Sequence, residues 1–231
     1  MISNGDPAHA VRHGAHRADP PAPGCTRAGT CGALHEDALT YSDSGLALAP
    51  GLVVDTHFSE RARELRLIEL LAATGHARGI GVDETSALHL RWGAEGLVLS
   101  AVGAHGGWAI DASEPCDGTR RSARMHYLAP GAAWRWDADG ALVAIDPLPA
   151  LANRTVHGKP PASALAGGAL REAAGILARG SDTVALAAGE QHVRLTRSPS
   201  TRAWRSGADP AAAGVTDLRL ELSEAHSCRA P

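Results

Sequence analysis

Residues 51–88, GLVVDTHFSERARELRLIELLAATGHARGIGVDETSAL, read as strand, helix, strand, and the rest of the chain is organised around them. Leu52, Val53 and Val54 make a short apolar run that ends at Asp55-Thr56-His57-Phe58. Ser59 stands where a helix N-cap would, with Glu60 next. Leu65, Ile68, Leu71 and Ala72 recur at spacings of three and four, which predicts an amphipathic helix with Arg61, Arg63, Arg66 and Glu69 on its wetter side. Gly75 stops it. Gly79-Ile80-Gly81-Val82 is a second short strand that ends at Asp83-Glu84. His57 and Glu84 thus each sit just past the C-terminal end of a strand in one βαβ-like unit. In open α/β sheets that edge is where ligands bind.

These residues resemble the cyanophycinase family of serine peptidases, relatives of the aspartyl dipeptidases built on a glutamine-amidotransferase-like fold. The resemblance is carried by GLALAPGLVVDTHFSERARELRL (45–67) and GIGVDETSAL (79–88). The family pattern is a hydrophobic strand, Asp-Gln-His-Phe, two spaced arginines, Arg-Leu, and later Gly-Ile-Gly-Ile-Asp-Glu-x-Thr-Ala. Weaker similarity runs on through GAHGGWAID and MHYLAPGAAWRWD. The resemblance implies an α/β fold: the C-terminal portion of a three-layer amidotransferase-like parallel sheet domain, followed by a β-rich segment. It implies that His57 is the triad histidine and Glu84 the triad acid. Asp55, Thr56, Arg63 and Arg66 fall in the substrate-binding segment, where an arginine can pair a carboxylate through bidentate geometry. Thr56 replaces the family glutamine that helps hold substrate, and it is shorter and has no amide. The family nucleophile is a serine in a Gly-Thr-Ser-Ala-Gly-Ala turn upstream of the histidine. That turn would precede Met1, so the expectation is a chain lacking the nucleophile and the first half of the fold.

Composition bounds the alternatives. The 231 residues are 44% hydrophobic but only 3% aromatic, so a core of Ala, Leu and Val is expected. The net charge of −3, with signs mixed along the chain, argues against a nucleic-acid footprint. No apolar run approaches the ~20 residues of a membrane span. No signal peptide is legible, and a cytoplasmic location is expected. Cys25, Cys31, Cys116 and Cys228 show no framework spacing, so disulfides are not expected.

Residues 1–44 carry no periodicity and read as irregular or disordered. His9, His13, His16, Cys25, Cys31 and His35 fall there, but their spacing fits no standard zinc pattern, so no metal or other cofactor is expected. Gly29-Thr30-Cys31-Gly32-Ala33 echoes a nucleophile turn without the preceding strand that such an elbow needs. Residues 45–146 read as the family-like core. Its second part holds short strands near 87–92, 97–102, 108–111, 125–128 and 141–145, with a turn at Gly93-Ala94-Glu95-Gly96. His89, His105 and His126 lie in or near these strands and are read as structural. Residues 147–231 read as a linker and a C-terminal α/β extension, with an Ala-rich helix over Pro161–Arg179 weakened by Gly167, Gly168 and Gly175. Strands are expected at 183–188, 192–196 and 217–222, the last at a sheet edge.

The function expected from this reading is a serine-type exopeptidase acting on aspartyl or arginyl peptides, with His57 as base and Glu84 orienting it. Without the serine the chain as it stands is expected to be inactive, since loss of a triad serine costs on the order of 10⁶ in turnover. The alternative is a non-catalytic peptide-binding remnant. A metal-dependent hydrolase is a third and weaker reading. A peptide is the expected partner, and a homodimer is compatible with the sequence.

Overall fold

Three short strands occupy the segment expected to be irregular. They are β1 (Ile2–Asn4), β2 (Ala15–Arg17) and β3 (Leu39–Ser42). They form a small sheet in the order β1-β3-β2, with β2 parallel to β3. The structure is a computed structural model that describes residues 2–4, 15–17, 39–42, 49, 51–137, 142–146, 149–151, 159–205, 213–225 and 228.

The predicted strand, helix, strand unit is present as β4 (Leu52–Thr56), α1 (Glu64–Thr74) and β5 (Arg78–Val82). β4 and β5 pair in parallel, from Leu52 opposite Arg78 to Thr56 opposite Val82. The chain continues through β6 (Ser86–Gly93), β7 (Gly96–Gly103), β8 (Gly107–Asp111), β9 (Arg121–Leu128), β10 (Ala133–Trp136) and β11 (Leu142–Asp146). It closes with α2 (Ala169–Ala178), β12 (Thr183–Ala188), β13 (Gln191–Arg205) and β14 (Ala213–Leu222).

The main sheet is mixed rather than the parallel sheet expected. Its seven strands run β12-β13-β14-β9-β8-β5-β4, and β4–β5 is its one parallel pair. A parallel neighbour needs a crossover of a dozen or more residues, usually a helix. The α1 connection supplies one between β4 and β5, and the other neighbours in this sheet pair antiparallel. The strands of the expected C-terminal extension belong to this same sheet. β14 lies between β13 and β9, not at an edge, with Val215, Leu218, Leu220 and Leu222 buried. A smaller antiparallel sheet runs β11-β10-β7-β6.

Strand alternation sends successive side chains of the main sheet to two cores. On one face Ile110, Met125, Leu195 and Leu220 meet Leu65, Ile68 and Leu71 of α1 and Leu170, Ala173 and Leu177 of α2. On the other face Ile80, Ala109 and Leu128 meet Leu97, Leu99, Trp134 and Trp136 of the smaller sheet. The order is therefore helices, mixed sheet, small sheet. Few as the aromatics are, Trp108, Trp134, Trp136 and Phe58 are among the largest fully buried side chains, a correction to the aliphatic core expected.

Local details also differ from expectation. Ser59 does not cap α1. It opens a 3-10 turn (Ser59–Arg61), the helix starts at Glu64, and Ser59 Oγ accepts from Trp108 Nε1 at 2.8 Å. Arg66 and Glu69 are buried rather than wet, because α1 is covered by β2 as well as by the main sheet. Gly75 does stop α1, in the left-handed region. The second helix begins only at Ala169, after a left-handed Gly168.

Cys116 and Cys228 form a disulfide, against expectation. Their separation of 112 residues gives no local signal. They meet because β14 pairs with β9, with Leu222 opposite Arg121, so the residues just beyond the two paired ends become neighbours. Cys25 and Cys31 lie outside the described residues.

Candidate active site

β4 and β5 end in step, and the site is built where they stop. His57 leaves β4 with a left-handed φ of 50°, uncommon for a residue with a Cβ. Phe58 then turns inward: its N–H donates to Val82 O at 3.1 Å and its ring is fully buried. The ring lies on Gly81, where any Cβ would overlap it. This anchor leaves His57 on the rim, facing the residue two places beyond β5. His57 Nδ1 and Glu84 Oε1 are 2.9 Å apart, with 53% and 44% of the two side chains exposed. A carboxylate on Nδ1 selects the tautomer that leaves Nε2 as the acceptor, the arrangement of a general base. Exposed ion pairs add little to stability, so the pair is better understood by what it can do than by what it holds together.

A partly buried polar lattice fixes the Glu84 loop. Glu60 Oε2 accepts from Glu84 N at 2.9 Å, and Glu60 Oε1 meets Arg171 of α2 at 2.6 Å. Arg171 also reaches Asp83 Oδ2 at 2.8 Å, and Asp83 Oδ1 accepts from Ser59 N at 3.0 Å. Tyr127 O–H donates to His105 O at 2.6 Å and lies 3.3 Å from Asp83. Burial pushes the Glu60 carboxyl up, but the Glu84 amide and Arg171 outweigh it and hold it below its ordinary value. Burial works against the Arg171 charge, but Glu60 and Asp83 raise it above the ordinary guanidinium range. Burial, then the Asp83 charge, push the Tyr127 phenol up. Beneath this lattice the carboxyl of Glu64 is buried, and burial pushes it up to about 8, with Asp83 adding. At neutral pH Glu64 is therefore mainly protonated.

The expected substrate-binding residues do come together. Arg63 donates to Asp55 Oδ1 at 2.9 Å and to Thr56 O at 2.7 Å. Arg66 lies 3.7 Å from Asp55 Oδ2. Arg66 is only 2% exposed, and burial lowers its pKa from the ordinary guanidinium value. Arg66 therefore orders Asp55 from below, and a solvent-borne carboxylate can meet Arg63 and the exposed Thr56 but not Arg66.

Sequence reasoning did not find Arg171, Tyr127 or the role of Glu60. Arg171 lies 111 positions from Glu60 and 88 from Asp83, so no local pattern could have linked them. Among the described residues no hydroxyl or thiol bonds to the His57 ring. Ser59 serves Trp108, Ser86 Oγ accepts from the amides of His105 and Gly106, and Thr85 Oγ donates to Glu84 O. Among the described residues no group of His, Cys, Asp and Glu is placed to hold a metal ion. His9, His13, Cys25, Cys31 and His35 lie outside the described residues. The described residues include no helix long and apolar enough to cross a membrane. No protein-family model, curated protein or solved structure matches this chain.

Proposed function

We propose that this chain carries the base half of a serine-type peptidase centre, of the cyanophycinase-like kind, acting on aspartyl or arginyl peptides. The single observation that carries the reading is the His57–Glu84 contact at 2.9 Å on the rim where two parallel strands end together. In that role His57 Nε2 takes the proton of a hydroxyl nucleophile as it attacks the peptide carbonyl. It then returns the proton to the leaving amine. Glu84 holds the imidazole in the working tautomer and stabilises the imidazolium. Arg63, turned toward Asp55 and the Thr56 carbonyl, is the available cation for a substrate carboxylate.

A second reading, peptide binding without turnover, is favoured by the lack of a hydroxyl or thiol on the His57 ring among the described residues. On either reading the Cys116–Cys228 disulfide favours an oxidising compartment over the reducing cytoplasm first expected.

The test is hydrolysis of aspartyl-arginine dipeptides by the protein purified from its own cells, read by mass spectrometry of the freed amino acids. Turnover that falls by roughly 10³ or more in both His57→Ala and Glu84→Gln supports the peptidase reading. Saturable dipeptide binding without product, weakened by Arg63→Met, supports the second reading. Turnover unchanged in His57→Ala, or neither turnover nor binding, refutes both.

A further inference from the structure

Outside this site, a cavity of about 480 Å³ lies against one face of α2. Its wall is the series Gly168, Arg171, Glu172, Gly175 and Arg179, which repeats at helical spacing and so forms a single stripe. The far side is formed by His105, Tyr127 and Ala213 among others. Neither His57 nor Glu84 lines it.

The two glycines give the stripe its shape. Gly175 is in mid-helix, where glycine costs about 1 kcal/mol relative to alanine. A Cβ there would stand 3.3 Å from the Arg179 guanidinium and would fill the floor of the trough. Glu172 and Arg179 stand two turns apart with Gly175 between them, one carboxylate and one guanidinium. Arg171 is already committed to Glu60 and Asp83. Among the described residues, by contrast, the side chains of Glu172 and Arg179 have no hydrogen-bond or ion-pair partner. Two long side chains of opposite sign on one helix face commonly pair at spacings of three or four. At seven they do not pair: the Arg179 guanidinium lies back over Gly175, and it and the Glu172 carboxylate present opposite charges to the cavity from one stripe.

We propose that this trough binds a small α-amino zwitterion, a free amino acid or a dipeptide, with its carboxylate on Arg179 and its ammonium on Glu172. The cavity has room for either. The Tyr127 ring and the Gly175 backbone supply a wall and floor that do not compete for charge. This site stands apart from the proposed peptidase centre and holds whether or not that centre turns over.

The experiment is calorimetric titration of the full chain with L-aspartate, L-arginine and the aspartyl-arginine dipeptide. Acetate and methylammonium serve as single-charge controls. The expected result is saturable binding of at least one zwitterion, with each control at least tenfold weaker. Arg179→Met and Glu172→Gln should each weaken binding roughly 10- to 100-fold, the scale of one charged hydrogen bond. Both residues sit toward solvent on the helix, so their melting curves should stay with the parent. Gly175→Leu should block the trough. Single amino acids binding more tightly than the dipeptide, or the reverse, identifies which ligand fits. Absence of binding to all three zwitterions up to about 10 mM overturns the proposal. So does binding that is indifferent to Arg179→Met and Glu172→Gln, or acetate binding as tightly as the zwitterions.

Discussion

Replacing Glu64 by Gln should stabilise the protein, and by an amount that grows with pH. Glu64 is buried, and its carboxyl is pushed up to about 8 from an ordinary 4.5. Between those two values the folded chain holds a proton that the unfolded chain has released. Stability from the protonated form is complete below pH 4.5 and drains away as pH rises to 8. Each unit crossed costs about 1.4 kcal/mol. The penalty is therefore roughly 1 kcal/mol at pH 5, 3 at pH 7 and 4 at pH 8. Glutamine has the shape of the protonated acid and cannot ionise, so it removes the pH-dependent part. For a chain of this length 1 kcal/mol moves Tm by about 2–4 °C. The gap in Tm between Glu64→Gln and the parent should thus widen by about 6–12 °C from pH 5 to pH 8. Thermal melts followed by near-ultraviolet circular dichroism at the two pH values measure it. A gap of the same size at pH 5 and pH 8 would refute the reasoning, because a packing effect does not titrate.

Other tests bear on separate parts of the structure. His126 is buried, burial lowers its pKa to about 4, and its Nδ1 accepts from Asp217 N at 3.1 Å. Its contribution is complete above pH 6.5 and is lost as pH falls toward 4, by roughly 3 kcal/mol, so in His126→Gln the Glu64 contribution acts alone and stability should rise as pH falls from 6.5 to 4.5. In the parent the two buried groups act in opposite senses between about pH 4.5 and 6.5, so urea midpoints should be nearly level there and decline above. Gly81→Ala should destabilise by roughly 1–3 kcal/mol through its overlap with Phe58, and the same substitution should disturb the His57 ring signals by NMR. Reduction of Cys116–Cys228, or Cys116→Ser, should cost about 4–5 kcal/mol on a chain-entropy basis for a loop of this size. Equal melts with and without reductant would show that the unfolded chain is not constrained by the bridge.

How far the sequence could be read depended on whether the signal was local. The β4–α1–β5 unit was legible because its apolar spacing and Gly75 act over a few residues. The His57–Glu84 meeting was legible because both residues sit at the ends of paired strands. The sheet's mixed direction was not, since strand runs such as Trp108–Asp111 look alike whichever way the neighbour points. TDLRLELS alternates as an edge strand would, yet β9 and β13 flank it, and only pairing distant in sequence could reveal that. Arg66 looked like a wet helix residue because the covering strand β2 carries no readable pattern. The lattice that holds Glu84 depends on Arg171, which lies in a segment with no motif.

The bridge between Cys116 and Cys228 also divides the molecule mechanically. Pulled from its two ends, the chain can pay out everything before Cys116, including β4, α1, β5 and the His57–Glu84 pair. The covalent ring that holds β9 to β14 and α2 stays shut. At about 3.5 Å per residue, the 112 residues of that ring hide roughly 390 Å of contour length until the sulfurs part. Under load, then, the half of the molecule that bears the histidine is the half that can be unspooled, while Arg171, its distant brace, stays behind inside the ring.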